Sequence, residues 1–233
     1  MAIKTDEVIN DIYILQSRNV RKLLKVKKSL LRDINRNSKL NHISDVEIKT
    51  KIYSLLYSAW SEAQFVQILH TPKALFPRDI KDIEIEKKKN GIINGWKLLI
   101  KLSINKVKDI NKSDDLLARQ ETIIGIISNH VEKQSIIRNK IAHGQWVHAL
   151  NKEHTKESFD LTSDLNNLDY VKINILFKIH YFLGLIMRDL VQSPKKGFHH
   201  NYWINITKLE NYIEKTRDWS AETKKDKFKY YNK

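Results

Sequence analysis

The 233 residues predict an all-α protein, an up-and-down helical bundle, on three observations. Gly (6) and Pro (3) are scarce, so little in the chain breaks a helix. Apolar residues recur at three- and four-residue steps over long windows, the period of a helix that buries one face. Polar start signals precede several of these windows. The length allows one large or two small domains and a sizeable core. We divide it into a bundle over residues 1–195 and a C-terminal helix with a basic tail over 196–233.

Thr5-Asp6-Glu7 opens the first helix, and Val8, Ile12, Leu15, Leu23, Val26, Leu30 and Ile34 mark its buried stripe. Arg18, Arg21, Lys22, Lys25, Lys28 and Arg32 mostly point elsewhere and form a basic flank. The polar run NRNSKLNH then reads as a loop. Ser44 and Glu47 have the spacing of a capping box, in which each side chain satisfies an orphan amide of the other's backbone. A second helix comes next, with Ile52, Leu55, Leu56, Ala59, Ala63, Val66 and Leu69 on one side, stopping before Pro72. TPKALFPRD reads as a loop, KDIEIEKKKN is ambiguous, and NGIINGWKLLIKLSINKVK is a third helix candidate.

Ser113-Asp114-Asp115 opens the next helix, its carboxylates at the positive end of the dipole. That helix runs to His143, where Gly144 is a good stop. Residues 146–162, short, polar and partly alternating, can form a small β-hairpin. Residues 165–191 predict a strongly apolar helix, SPKKGFHHN a linker, and Trp203, Leu209, Tyr212 and Ile213 a last amphipathic helix before a mobile basic tail, KKDKFKYYNK.

Lys and Arg total 42 against 27 Asp and Glu, a formal charge of +15. So basic a chain attracts polyanions, of which nucleic acid is the commonest. The bland source of the same composition is the Lys, Ile and Asn usage of an AT-rich genome. With no cysteine, disulfides, thiolate metal sites and a Cys nucleophile are excluded. The N-terminus carries no secretory h-region. The most apolar run, INILFKIHYFLGLIM, is interrupted by Lys178 and His180 and is short for a bilayer span. It reads as a core helix, and the chain as cytoplasmic, without membrane contact.

The chemistry concentrates in IIRNKIAHGQW, residues 136–146. Asn139 and His143, four residues apart, share a helix face, and the long side chain of Arg138 reaches the same end. Cleaving an RNA phosphodiester needs a base for the 2′-OH proton, a cation for the charged phosphorane and an acid for the leaving 5′-oxygen. Histidine titrates in the range either proton role needs. Arginine offers a permanently charged fork to phosphate oxygens. RNA supplies its own nucleophile, so the chemistry needs no metal or other cofactor. One His cannot be base and acid at the same instant, so a symmetric homodimer pairing two such helix ends is expected. Lys133, Lys140, Trp146 and His148 are the candidate substrate contacts.

Arg138-Asn-Lys-Ile-Ala-His143 resembles the HEPN superfamily, marked by Arg-x(4–6)-His late in a four- or five-helix bundle. LLYSAWSEAQFVQ, residues 55–67, is similar to the Tyr-x-x-Trp-Glu-x-x-Phe stretch on an early helix of some HEPN proteins, with Ser61 inserted between Trp60 and Glu62. The resemblance spans roughly residues 5–190 in helix order. It implies a HEPN-like bundle and a dimeric, metal-independent ribonuclease of toxin–antitoxin or anti-phage defence systems, partnered by an antitoxin or another defence protein. Catalytic roles then fall on Arg138, Asn139, His143 and Glu62. Glu62, three after Ala59 and four before Val66, sits on the edge of the apolar stripe, where a buried carboxylate needs a partner, and Arg138 is the candidate it would orient. Arg36-Asn-Ser-Lys-Leu-Asn-His42 has the same form, but no apolar stripe holds it rigid.

Bland readings stand beside these. Arg138 and His143 also suit a solvated helix end, where cations favour the negative dipole. Glu62 also suits a structural ion pair, and Asn139 a helix-end hydrogen bond. Trp60 and Trp146 are core residues or base-stacking platforms. His148, His154, His199 and His200 lack metal-ligand spacing. Two other functions compete. One is a non-catalytic nucleic-acid-binding or scaffold module. The other is a metal nuclease using Glu84, Glu86 and Lys88, which needs that segment to be a strand.

Overall fold

The computed structural model describes residues 2–107 and 113–230, with side chains through 226, and it is an all-α bundle. In order the helices are α1 (Asp6–Lys39), α2 (Ile43–Leu69), α3 (Pro77–Asn90), α4 (Ile92–Ile104) and α5 (Asp114–Ile127). A π-helical turn (Ser128–Glu132) joins α5 to α6 (Lys133–Ala142), and after it come α7 (Phe159–Asn166), α8 (Tyr170–Gln192), α9 (Gly197–Thr216) and α10 (Ala221–Tyr230).

Helix α2 is the central post. The sequence predicted one apolar side, yet α2 packs against α1, α4, α6 and α8. Tyr53, Tyr57, Trp60 and Phe65 are buried on it, and so are Ser54, Ser58 and Ser61. Ile52, expected in the stripe, is exposed. The hydroxyl residues let α6 approach closely, and this is what carries the site. The expected capping box at Ser44 does not form, because α2 already begins at Ile43 and has no side-chain cap. Asn41 turns the chain in the left-handed region (φ 58), which Asn tolerates better than most residues. Asn37 then ties the end of α1 to Asp45. The predicted loop over residues 35–42 is therefore helical as far as Lys39.

Helix α8 is the second post. It has 23 residues, long and apolar enough to cross a membrane, against the expectation from its interrupted apolar run. Its Phe177, Ile179, Phe182, Leu183, Ile186 and Met187 instead lie in the core. The predicted single helix over 165–191 breaks at Asn167–Asp169, because Asp169 caps α8 by accepting from Val171 N and Lys172 N. Its other oxygen accepts from Ala221 N at 2.8 Å and anchors α10. The basic tail, expected to be mobile, is thus helical over Ala221–Tyr230; its last three residues lie outside the described ones. Asp169→Ala is expected to cost about 1–2 kcal/mol in urea unfolding, the usual value of an N-cap. It should also speed amide exchange in α10, and an unchanged urea midpoint would deny the cap that weight.

The predicted linker 193–201 is helical from Gly197 onward. Phe198, Tyr202, Ile206 and Leu209 of α9 share one core cluster with Leu116, Ile123 and Leu183. Trp203, expected on the apolar side, is exposed, though it stands beside the buried guanidinium of Arg119. The segment 77–90, ambiguous in sequence, is α3, with Pro77 in its first turn. The β-hairpin expected over 146–162 reduces to a single antiparallel bridge, Leu150 to Glu157, with α7 after it.

Candidate functional site

Two helices build the site, and hydroxyl and amide contacts hold them together. Ser54 Oγ donates to Gln134 Oε1 at 3.2 Å, and Ser58 Oγ to the Gln134 carbonyl at 3.4 Å. Tyr57 OH donates to the carbonyl of His130 inside the π-turn at 3.2 Å. A π-turn leaves backbone groups free to be met from outside and rotates the helix on its C-terminal side. These contacts orient α6. Sequence reasoning missed them, although Ser54, Ser58 and Ser61 recur at three- and four-residue steps.

Glu62, the next turn of the same face, receives Arg138 Nη2 at 2.7 Å, with both side chains about one-third exposed. Arg138 Nη1 donates to Asn139 Oδ1 at 2.9 Å. The guanidinium is thus bound on two sides, and three of its five N–H groups remain for an anion. The pairing of Glu62 with Arg138 is the one the sequence suggested.

His143 is the C-cap of α6. Gly144 takes φ 79, its N–H bonds to Ile141 O, and Gln145 N bonds to Lys140 O. This is the double closure of a Schellman motif, and it sets His143 at a defined helix end. The imidazole is exposed, and among the described residues it has no hydrogen-bond or ion-pair partner. Ile136, Asn139 and His143 lie within about 60° around α6, one outward stripe. Ile136 is 45% exposed, and Val147 in the next loop 57%.

The four candidate substrate contacts are otherwise engaged. Lys140 Nζ donates to the carbonyl of Leu150, clamping the loop after α6. Lys133 Nζ pairs with Asp164 at 2.6 Å. It lines a cleft of about 450 Å³ with His130, Lys172 and Arg217, which none of Arg138, Asn139 and His143 lines. Trp146 packs on the small cluster of Ile137, Ile141 and Leu165. His148 pairs with Glu157 at 2.8 Å, and that hydrogen bond is the main reason the Glu157 carboxyl sits below its usual range. Trp60 is buried in the core against Phe177 and His180.

The strand that the metal-nuclease reading requires is a helix, α3. Glu84 and Glu86, two residues apart, therefore diverge by about 160° and cannot share an ion. Glu84 lies between Lys4 and His70. Burial pushes its carboxyl up, but the hydrogen bonds from those two outweigh burial and hold it below the usual range.

Searches against family models, curated proteins and solved structures found no match to this chain. The HEPN resemblance therefore rests on its two sequence motifs alone.

Proposed function

We propose that this chain is a metal-independent endoribonuclease of the HEPN type, cleaving RNA by 2′-OH attack at a composite homodimer site. The observation that carries the reading is the Glu62–Arg138–Asn139 arrangement, one helical turn from an exposed, unpartnered His143. Arg138 is positioned rather than merely charged, and positioned charge is what stabilises a developing phosphorane.

Each copy supplies one imidazole. His143 of one copy takes the 2′-OH proton as the 2′-oxygen forms its bond to phosphorus. The P–O5′ bond breaks, and His143 of the other copy protonates the leaving 5′-oxygen. The Arg138 guanidinium neutralises the pentacoordinate phosphate between these events. Exposed Ile136 and Val147 beside the histidine stripe supply apolar area for the two-fold contact that the chemistry needs. A role as toxin or anti-phage effector, restrained by an antitoxin or another defence-system protein, belongs to the same proposal.

A second reading, a non-catalytic nucleic-acid-binding or scaffold module, draws on Lys133, Lys140 and His148 all being held by protein groups. The two divide on one assay. The nuclease cuts RNA in EDTA and leaves 2′,3′-cyclic phosphate and 5′-hydroxyl ends. The binding module retains RNA in a salt-sensitive complex without cutting it. Cleavage that EDTA abolishes would remove the metal-independent mechanism.

A further inference from the structure

Six cations on α1, Arg18, Arg21, Lys25, Lys28, Arg32 and Arg36, fall within about 80° around the helix axis and span roughly 27 Å along it. All six are exposed. Between residues 18 and 36 no acid shares that sector: Asp33 lies to one side of it and reaches Arg36 only at 3.9 Å, and Glu7 enters the sector only about 16 Å nearer the N-terminus. Arg18, Lys25 and Lys28 have no acidic partner among the described residues. The neighbouring Lys27 turns the other way, over the ring of Phe177, where burial with repulsion from Lys178 and Lys28 lowers it to about 8. Helix α10 lies beside it, with half-buried Lys224 donating to Asn35.

The stripe does not belong to the site on α6. Gln67 of α2 donates to Ser17 of α1, and Glu62 of α2 receives Arg138. Those two α2 positions point about 140° apart. Helix α1 and the Arg138 site therefore flank α2 on different sides, and the basic face points mostly away from α2, far around α1 from the buried Val20 and Ile34.

We propose that this face of α1 is a docking surface for the phosphate backbone of RNA, independent of base sequence and separate from the Arg138–His143 site. It rests on RNA being the polyanion this chain meets, and not on cleavage. A membrane surface fits less well. The apolar stripe that an interfacial helix would insert is packed on α2, and between Arg18 and Lys39 only Val26 is exposed among the large apolar residues. An acidic protein would find few apolar anchors on it, Leu40 at its C-terminal end being the exposed one and no aromatic residue beside it. A straight, rigid row of cations without an exposed aromatic fits phosphates and not stacked bases.

The test is fluorescence anisotropy with a 2′-O-methyl RNA duplex of about 20 base pairs, which 2′-OH attack cannot cut. In a variant carrying Arg18→Gln, Lys25→Gln, Arg32→Gln and Arg36→Gln, the slope of log K against log salt should flatten by about 3–4. Arg18→Lys, Arg32→Lys and Arg36→Lys together should keep it, which guards against a folding artefact. An unchanged slope in the glutamine variant overturns the proposal even if cleavage persists. Absence of cleavage by the wild type with the slope effect intact overturns only the nuclease reading. Vesicles with anionic lipid, bound by the wild type and lost by the variant while duplex binding stays, would reassign the face to membrane.

Discussion

Replacing His143 by alanine is expected to lower RNA cleavage by about 10²–10⁴-fold, the usual weight of a positioned acid or base. Little stability should be lost, because the imidazole is exposed and makes no bond that the fold uses. Arg138→Ala should cost about 10²–10³-fold, the value of one preorganised charge donor. Glu62→Gln should cost less, since an amide oxygen still accepts from Arg138 Nη2 while the charge that fixes it is gone. This order of His143, Arg138 and then Glu62 separates reacting groups from a positioning residue. Composition across two copies adds a stronger demand. If one site needs both histidines, a dimer with one His143→Ala copy is dead. Random exchange of equal amounts should then leave roughly one quarter of the dimers wild-type and active rather than half. Wild-type rates in both His143→Ala and Arg138→Ala would end the nuclease reading. One-half activity in the exchange would keep the nuclease and remove the shared site.

The parts of this site that could be read from sequence were local or chemically conspicuous. Arg138, Asn139 and His143 lie on one helix end, so periodicity alone relates them. Gly144 announced the stop because only a residue at ease with φ 79 completes that closure. Glu62 was legible at longer range because a carboxylate at the edge of an apolar stripe needs a partner. What could not be read depends on neighbours distant in sequence. The π-turn has no residue signature; it is stabilised by Tyr57, which reaches across from α2. Lys140 looked like a substrate cation until the returning loop brought the Leu150 carbonyl to it. The charged run of α3 hid its helix because only Ile80 and Ile83 face inward. Ser44 carried a sound capping pattern that was overridden when Asn37 and Asp45 joined α1 to α2. In each case a tertiary contact outweighed a local preference worth no more than about 1–2 kcal/mol.

The same contacts bury a histidine at the centre of the bundle, and acid should expose it. His180 on α8 is 1% exposed and ringed by Trp60, Tyr57 and Trp96 at centroid distances of 5.1, 5.9 and 5.9 Å. Neither ring nitrogen has a hydrogen-bond partner. Burial without a countercharge favours the neutral ring and lowers the pKa from 6.5 to about 3. The unfolded chain therefore binds a proton that the folded one refuses between those values. Stability from this residue is fully present above about pH 6.5, falls as pH drops, and stops falling near pH 3. By pH 5 the loss is about 2 kcal/mol. His180→Phe keeps a ring among rings and removes the group that protonates, so its urea stability should lose about 2 kcal/mol less than the wild type between pH 7.5 and pH 5. At neutral pH it should match or exceed the wild type, because two unpaired nitrogens leave the core. Parallel stability curves for the two proteins would mean that the folded state accommodates the charge. The comparison also bears on the site, since protonation of His180 favours unfolding of the core on which the site is built. A fall in cleavage on acidification that His180→Phe rescues reports collapse of the α2–α8 core that holds Glu62 in place, and a fall that persists in His180→Phe places the cause outside His180.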